Sequence, residues 1–235
     1  MAELRIQIYS DGADIAEMIA ARRSGQVQGF TTNPTLMRKA GLTDYAAFAR
    51  AALAAIPDLP ISFEVFADDF AEMERQARLL ASWGANVFVK IPITNTKGES
   101  AVPLVRTLAQ AGIQLNVTAI LTLEQVAAVA TALNPQIPAI VSVFAGRIAD
   151  CGVDPVPIMQ QSLHLLRNLP RAQLLWASPR EVLNVVQADA CGCHIITITP
   201  DLQKKLSLIG RSLDAMSLDT VQMFHRDAAA AGYQL

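Results

Sequence analysis

The chain has 235 residues, 52% of them hydrophobic, and a formal net charge of −2. This size and composition predict a globular protein with a large buried core, and the nearly neutral charge gives it no electrostatic reason to bind nucleic acid or an anionic membrane. No apolar run approaches the roughly 20 residues that span a bilayer. The opening "MAELRIQIYSDG" lacks the form of a signal peptide, so we expect a cytoplasmic protein.

Short β-rich runs alternate along the whole chain with longer segments of helical periodicity. The predicted strands, in chain order, are "RIQIYS", "GFTT", "ISFEVF", "VFVKIPI", "QLNVTAI", "AIVSVFA", "LLWAS" and "IITIT". The segments between them, such as "DIAEMIAARRSG", "DYAAFARAALAAIP", "DDFAEMERQARLLASWG" and "TLEQVAAVATALNP", have the start and stop signals of helices. Eight βα units of about 29 residues each predict a compact (β/α)₈ TIM barrel.

The same alternation predicts a single barrel domain over residues 1–235, because no linker, charge block or low-complexity tract interrupts it. An open, doubly wound sheet is the competing arrangement, but the first βα turn, "YSDGADI", has no G-x-G-x-x-G pattern. Residues 218–235 are predicted to form an extra C-terminal helix. Val221, Phe224 and Ala228 lie at helical spacing in it, and they suit packing on this barrel or on a neighbouring subunit.

Neither a metal site nor a disulfide framework is expected. The three cysteines are few and irregularly spaced, and "CGCH" lacks the second ligand pair of a zinc site. The three histidines lie far apart along the chain and form no ligand spacing. We therefore expect idle thiols and no metal.

One lysine, Lys90, interrupts an otherwise apolar run, "VFVKIPI". Burying an unpaired ammonium group is so costly that the group usually gives up its proton, and a neutral lysine is a nucleophile. The simpler interpretation is a lysine that reaches solvent from a strand end or lies on an exposed edge strand. Glu64, an acid among apolar neighbours in another strand, is equally costly to bury alone and is the expected partner of Lys90.

Polar side chains occur where successive predicted strands end, the place where barrel enzymes carry their active sites. In chain order they are Asp11, Thr32, Asn33, Glu64, Lys90, Asn116, Thr118, Ser142, Arg147, Ser178 and Arg180. Singly, some have simpler roles, since Asp11 and Ser178 can cap helices and Asn33 can form a turn. Together they exceed what packing requires, and a lysine that shares a cavity with acids can perform Schiff-base chemistry.

Six stretches in this order resemble the transaldolase family: "GFTTNPTL", "SFEV", "FVKIPIT", "LNVTAI", "VSVFAGRIAD" and "ASPR". The chain is most similar to the short members, which include the fructose-6-phosphate aldolases, and the resemblance covers nearly its whole length. It implies a Schiff-base enzyme that acts on sugar phosphates without a cofactor. It also implies a homo-oligomer, commonly a decamer, in which the C-terminal helix crosses to a neighbour.

The resemblance also implies a role for each matching residue. Lys90 would form the Schiff base with the C2 ketone of the donor, Asp11 would take the proton of the C4 hydroxyl, and Glu64 and Thr118 would hold a catalytic water. The residues expected to bind substrate are Thr32, Asn33, Asn116, Ser142, Phe144, Arg147, Ser178 and Arg180. Of these, Arg147, Ser178 and Arg180 would bind the phosphate.

The phosphate assignment has physical support, because guanidinium groups bind phosphate bidentately and a helix that began just after Ser178 would add backbone donors. The alternative is a pair of solvated arginines on loops. Gly12 and Pro179 depart from the residues usual in the family. These departures leave open which ketose is used and whether its anionic group is a phosphate or, for example, a sulfonate.

Two positions bear on the reaction itself. At the positions of Glu64 and Phe144, the fructose-6-phosphate aldolases have glutamine and tyrosine, whereas the transaldolases have glutamate and phenylalanine. This chain therefore resembles the transaldolases at both positions. Without a tyrosine hydroxyl to protonate it, the enamine would wait for an acceptor aldehyde, so transfer is favoured. Simple cleavage that releases dihydroxyacetone and a non-catalytic sugar-phosphate-binding barrel are the alternatives.

Overall fold

In the computed structural model, which describes residues 4–234, eight parallel strands close into a barrel in chain order. They are β1 (Gln7–Asp11), β2 (Gly29–Thr31), β3 (Ile61–Glu64), β4 (Val87–Pro92), β5 (Leu115–Ile120), β6 (Ala139–Val143), β7 (Ala172–Trp176) and β8 (Ile195–Ile198). The last strand pairs with the first, with Gln7 opposite Ile195. This closure confirms the predicted (β/α)₈ barrel and excludes the open sheet.

Eleven α-helices surround the strands over residues 4–234. They are α1 (Ile15–Ser24), α2 (Pro34–Lys39), α3 (Tyr45–Ala55), α4 (Phe70–Ala81), α5 (Val102–Gln110), α6 (Leu123–Ala132), α7 (Ala145–Asp150), α8 (Pro155–Leu166), α9 (Val182–Ala190), α10 (Pro200–Lys204) and α11 (Leu213–Ala231). A 3₁₀ turn, Lys205–Leu208, follows α10. The helices α2 and α7 are short and lie in loops above the carboxyl ends of the strands.

The longer helices begin at the capping residues that the sequence signals. The carboxylates of Asp14, Asp44 and Asp69 accept hydrogen bonds from backbone N–H groups in the first turns of α1, α3 and α4. Thr122 forms a complete capping box at the start of α6. These local interactions explain why the helix starts are readable from the sequence alone.

The strand boundaries differ from the sequence prediction by one or two residues. The third strand, for example, ends at Glu64 rather than at residue 66, and the seventh is Ala172–Trp176 rather than 174–178. The sixth strand ends at Val143 rather than at residue 145, because the chain turns at Phe144 and enters α7. The C-terminal helix begins at Leu213, capped by Ser212, rather than at residue 218. The last residue of the predicted 218–235 segment and the first three of the predicted 1–235 domain lie outside the described residues.

Apolar side chains fill much of the barrel interior. A cluster of inward-facing residues comprises Tyr9, Phe88, Ile140, Leu175, Ala177 and Ile195. Gly29 makes room for the largest of them, since a β-carbon at that position would lie 2.5 Å from Tyr9 Cζ. Polar groups follow this cluster along the strands: Lys90 comes after Phe88 on β4, and Ser142 comes after Ile140 on β6.

Helix α11 lies on the surface of the fold. None of its residues is buried, and Val221 and Phe224 are 60% and 63% exposed. Their helical spacing therefore does not reflect packing on this barrel. Across residues 4–234, no helix combines the length and the apolar character needed to cross a membrane.

Candidate active site

A pocket of about 400 Å³ opens at the carboxyl end of the barrel. It gathers eleven of the twelve predicted site residues: Asp11, Asn33, Glu64, Lys90, Asn116, Thr118, Ser142, Phe144, Arg147, Ser178 and Arg180. Thr31, Lys39 and Thr197, which the sequence analysis did not single out, also line it. Residues from all eight strands or the loops after them thus meet in one cavity.

Lys90 lies deep in this pocket, with only 6% of its surface exposed. Its Nζ is 3.0 Å from Glu64 Oε2 and donates a hydrogen bond of 2.9 Å to the carbonyl of Thr32. The register places Glu64 directly opposite Lys90 on the adjacent strand. Since β4 has a neighbour on both sides and the amine points inward, Lys90 neither lies on an edge strand nor reaches out to bulk solvent.

The side chain of Thr32 does not line the pocket. Its hydroxyl donates to the carbonyl of Ser62 at 2.9 Å, and only its own carbonyl reaches Lys90. Thr31, one residue earlier, presents its side chain to the cavity instead. Because successive side chains of a strand alternate in direction, an error of one position exchanges the inner residue for the outer one.

Asp11 ends β1 beside a chain of two hydroxyl groups. Thr31 Oγ1 donates to Asp11 Oδ1 at 2.7 Å, and Thr197 Oγ1 lies 2.5 Å from Thr31 Oγ1, so Thr197 is the donor to Thr31. Burial raises the pKa of Asp11, opposed by the positive charge of Lys90 and by the hydrogen bond from Thr31. The arrangement yields an oriented carboxyl group that holds a proton to higher pH than an ordinary aspartate.

Thr118 has an unusual local setting. Its Oγ1 is buried and has no hydrogen-bond partner within residues 4–234. The next residue, Ala119, has φ 61°, and the ladder between β5 and β6 shifts register between Val117 and Ile120. A bulge of this kind redirects a side chain, and left-handed backbone at a non-glycine residue costs about 1–3 kcal/mol. The strain leaves a free hydroxyl at the pocket wall, where a water would satisfy it.

Asn116 is fixed by hydrogen bonds at both ends of its amide. Its Nδ2 donates to Ser62 Oγ at 3.0 Å, and its Oδ1 accepts from Ser142 Oγ at 2.6 Å. One N–H and one lone pair of the amide are left for a bound molecule. Asn33 has a double role: its Oδ1 caps α2 by accepting from Leu36 N at 2.9 Å, and its NH₂ group remains available to the pocket.

The mouth of the pocket carries three cationic groups. Arg180 is held by Asp150 through two hydrogen bonds, one of them from Nε to Oδ1 at 3.0 Å, and the pKa of Asp150 is lowered as a result. Among residues 4–234, Arg147 and Lys39 form no ion pair, and Arg147 lies over the Phe144 ring at 5.7 Å. Three cations less one carboxylate leave two positive charges, which match a phosphate dianion.

The loops that carry these groups interlock through a glycine. A β-carbon on Gly146 would lie 1.5 Å from the carbonyl oxygen of Ser178, and Gly146 N donates to the carbonyl of Ala177 at 3.2 Å. Ser178 itself has φ 58°, a left-handed conformation that L-residues rarely adopt. Position 146 therefore accepts only glycine as long as Ser178 keeps this place.

The expected helix start just after Ser178 is wrong. Helix α9 begins at Val182, and Glu181 occupies its N-cap position. The side chain of Asn184 accepts from the backbone N–H groups of Arg180 and Glu181 at 2.7 Å and 3.1 Å. Those two donors are thus already used, and the anion-binding capacity of the site lies in its side chains.

Some of the unpredicted lining residues had a usable signal. Thr197 alternates with Ile195 in "IITIT", so an inward-facing Ile195 implies an inward-facing Thr197. Lys39 had none, because it lies on the six-residue helix α2, which the sequence analysis did not predict. Over the described part of the chain, no group of three or more His, Cys, Asp or Glu residues could hold a metal ion.

Comparison with known proteins gives a consistent picture. Residues 8–235 match the family described as transaldolase/fructose-6-phosphate aldolase. A protein of Dehalococcoides mccartyi named probable transaldolase is 34% identical over 82% of this chain and 86% of its own length. A Listeria monocytogenes protein named probable transaldolase 2 is 34% identical over 86% and 88%, and a Roseiflexus protein named probable transaldolase is 37% identical over 82% and 85%.

Similar solved structures share the architecture at low sequence identity. A 3-keto-L-gulonate-6-phosphate decarboxylase from Vibrio cholerae superimposes with a TM-score of 0.55 at 13% identity, over 84% of this chain and 89% of its own. KGPDC from Streptococcus mutans gives a TM-score of 0.57 at 12% identity, over 86% and 91%. At such identities the likeness shows the barrel fold alone.

Proposed function

The chain belongs to the transaldolase/fructose-6-phosphate aldolase family and is an enzyme of that type, and we propose that it transfers a dihydroxyacetone unit through a Schiff base on Lys90. The donor would be a phosphorylated ketose such as sedoheptulose 7-phosphate or fructose 6-phosphate, and the acceptor an aldose. The observation that carries the proposal is a buried amine, Lys90 Nζ, 3.0 Å from a carboxylate in a pocket with a second carboxyl group.

Schiff-base formation begins with the Lys90 amine. Glu64, in contact with Nζ, accepts the proton that makes the amine nucleophilic. The nitrogen then attacks the C2 carbonyl carbon of the donor, and the carbonyl oxygen leaves as water after protonation, which gives an iminium ion. The unpartnered hydroxyl of Thr118 supports a role in holding that water.

Carbon–carbon cleavage follows from the iminium, which acts as an electron sink. Asp11 takes the proton of the C4 hydroxyl, the C3–C4 bond breaks, and its electron pair moves to the iminium and forms an enamine on Lys90. The aldehyde product leaves. An acceptor aldehyde reverses these steps, since the enamine carbon attacks it and Asp11 returns the proton. The hydroxyl chain from Thr197 through Thr31 supports this role by fixing the orientation of Asp11.

Phe144 favours transfer over simple cleavage. It lines the pocket and has no hydroxyl group that could protonate the enamine. The enamine therefore persists until an acceptor aldehyde arrives. A lyase that releases free dihydroxyacetone is the second candidate, and the experiment below separates the two.

The test is intact-mass spectrometry of the protein after mixing with fructose 6-phosphate and reducing with borohydride. We expect a covalent three-carbon adduct that digestion assigns to the peptide containing Lys90, and we expect erythrose 4-phosphate added before reduction to deplete it. Release of dihydroxyacetone without an acceptor would indicate the lyase. No adduct with phosphorylated or sulfonated ketoses would refute the Schiff-base proposal.

Recognition of the donor's phosphate is proposed for Arg147, with Lys39, Ser178 and the remaining N–H groups of Arg180. Because Asp150 occupies the fork of Arg180, Arg147 is the guanidinium free to bind a phosphate bidentately. The alternative of two solvated arginines therefore now concerns Arg147 alone, and mutation of Arg147 tests it.

Arg147→Ala is expected to lower kcat/KM for a phosphorylated donor about 10-fold to 100-fold, mostly through KM, because one charge-assisted contact is lost. Use of an unphosphorylated ketose should change by less than about twofold. Arg171→Ala, an exposed arginine at the opposite end of β7, is the control and should leave both donors unaffected. Equal losses on both donors would contradict the phosphate site.

The proposal extends to assembly and location. The exposed apolar residues of α11 support a homo-oligomer in which this helix packs on a neighbouring copy. The resemblance to the short members of the family implies that this oligomer is a decamer. Sugar phosphates as substrates accord with the cytoplasmic location expected from the sequence. That location stays a prediction, and so do the single domain, the absence of a cofactor and the absence of a metal.

A further inference from the structure

The hydrogen-bond ladder between β2 and β3 stops one bond early, next to Lys90. Thr32 N donates to the carbonyl of Ser62 at 3.1 Å, in the register that places Thr31 opposite Ser62. In a parallel ladder the next bond would run from Glu64 N to the carbonyl of Thr32. That bond is not formed, and both groups have other partners.

Tyr45, the first residue of α3, supplies the hydroxyl group that Glu64 N binds in place of the Thr32 carbonyl. Its hydroxyl accepts from Glu64 N and donates to the carbonyl of Glu64, both at 2.9 Å. The carbonyl of Thr32 is thereby left to accept the hydrogen bond from Lys90 Nζ. One phenol satisfies two backbone groups of a strand and frees a third group on the neighbouring strand.

The ring of Tyr45 is held firmly for this task. It packs edge-on against Phe63 at 6.3 Å, and it contacts Phe66 and Trp83 at 5.5 Å and 6.5 Å between ring centres. Burial raises the pKa of Tyr45, so the hydroxyl keeps the proton that it donates. The hydroxyl is therefore a fixed donor and acceptor rather than a mobile surface group.

We infer that Tyr45 is a positioning residue of the active site: its hydroxyl holds β3 apart from β2 so that the Thr32 carbonyl and the Glu64 carboxylate together aim the Lys90 amine. The inference rests on the proposed role of Lys90. It adds to the active site a residue that does not itself line the pocket at the carboxyl end of the barrel. Without the hydroxyl, Glu64 N would turn to the Thr32 carbonyl and compete with the amine for it.

The experiment compares Tyr45→Phe with a control variant, Tyr9→Phe, which also removes one phenol hydroxyl. Tyr9 is 2% exposed inside the same barrel, and burial alone raises its pKa to about 12. Rates of borohydride-trapped adduct formation with fructose 6-phosphate, kcat, KM and thermal midpoints are measured for the parent and both variants. Both substitutions keep the aromatic ring, so the packing that each phenol provides is preserved.

For Tyr45→Phe we expect adduct formation and kcat to fall roughly 10-fold to 100-fold, as misplaced reacting groups do, with KM within about twofold of the parent. Tyr9→Phe should stay within about twofold throughout. A Tyr45→Phe enzyme that reacts like the parent, a loss shared by Tyr9→Phe, or a change confined to KM would overturn the inference.

Failure of the proposed chemistry would look different. A parent that forms no adduct with phosphorylated or sulfonated ketoses refutes the Schiff base. Crystal structures of the parent and of Tyr45→Phe then test the role of Tyr45. The inference requires Lys90 Nζ to leave the Thr32 carbonyl when the hydroxyl is removed. An amine that stays within hydrogen-bond distance would overturn it.

Discussion

Lys90→Met is expected to abolish dihydroxyacetone transfer and the borohydride-trapped adduct while the barrel stays folded. The substitution deletes the amine but keeps an apolar chain of similar length, so the packing around β4 is retained. Without a covalent intermediate, kcat should fall roughly 10³-fold or more. Glu64 loses its partner, yet its side chain is 18% exposed toward the pocket, so its carboxylate keeps access to water.

The measurement is steady-state transfer together with intact mass after reduction. Lys97→Met, in the exposed loop after β4, is the control and should transfer and trap like the parent. Circular dichroism and a thermal midpoint near that of the parent establish that the variant is folded. Transfer by folded Lys90→Met at more than about one-hundredth of the parent rate would show that the reaction does not pass through this amine.

Asp11→Asn is expected to lower kcat about 10²-fold to 10⁴-fold, the range for loss of a general base. The amide can still accept the hydrogen bond from Thr31, so the site geometry is kept. Because cleavage of the C3–C4 bond is the step affected, Lys90 should still form its iminium with the donor. Reduction should then trap the intact six-carbon adduct instead of the three-carbon one.

The same substitution should stabilise the fold. An acid whose pKa is higher in the folded than in the unfolded chain lowers the free energy of unfolding as the pH rises from the unfolded to the folded pKa. The pKa of Asp11 is raised by burial, so ionised Asp11 destabilises the barrel at neutral pH. Asparagine removes that charge and should raise the thermal midpoint at pH 7, but not below about pH 3.9, where aspartate is protonated in both states.

The raised pKa also predicts where activity is lost in acid. The acid limb of kcat/KM should lie above the pH at which an ordinary aspartate titrates. Asp14→Asn, at the exposed cap of α1, is the control and should leave activity and this acid limb unchanged.

The trapping experiment with Asp11→Asn has a clear contradicting outcome. If the variant accumulates the three-carbon adduct as the parent does, another group takes the proton of the C4 hydroxyl.

The barrel and most of its pocket could be predicted from the sequence because both follow from local patterns. Helix caps such as Asp44 act within one turn, and strand alternation places Lys90 and Glu64 on the inner face. A closed barrel then brings every strand end to one side. The family motifs added roles to these positions, which the geometry accommodates but which remain proposals.

What the sequence could not supply were interactions between distant residues. The pairing of Arg180 with Asp150 joins positions 30 apart, and no local pattern signals that this fork is already occupied. Thr32 was predicted to line the pocket where Thr31 does, because the predicted end of β2 was one residue too late. Tyr45 reads as an ordinary helix-start residue, and only the ends of β2 and β3 in space reveal its second task.

The contact between Gly146 and the Ser178 carbonyl narrows the ways in which this enzyme could acquire a new substrate. The loops after β6 and β7 are locked to each other as backbone, so neither can be reshaped without the other. Evolution or a protein engineer is left with the side chains at the rim, Arg147 and Lys39 first, which can be exchanged singly. Such changes leave Lys90 and Asp11 in place, so a single lineage could keep its carbon–carbon chemistry while trading one anionic donor for another.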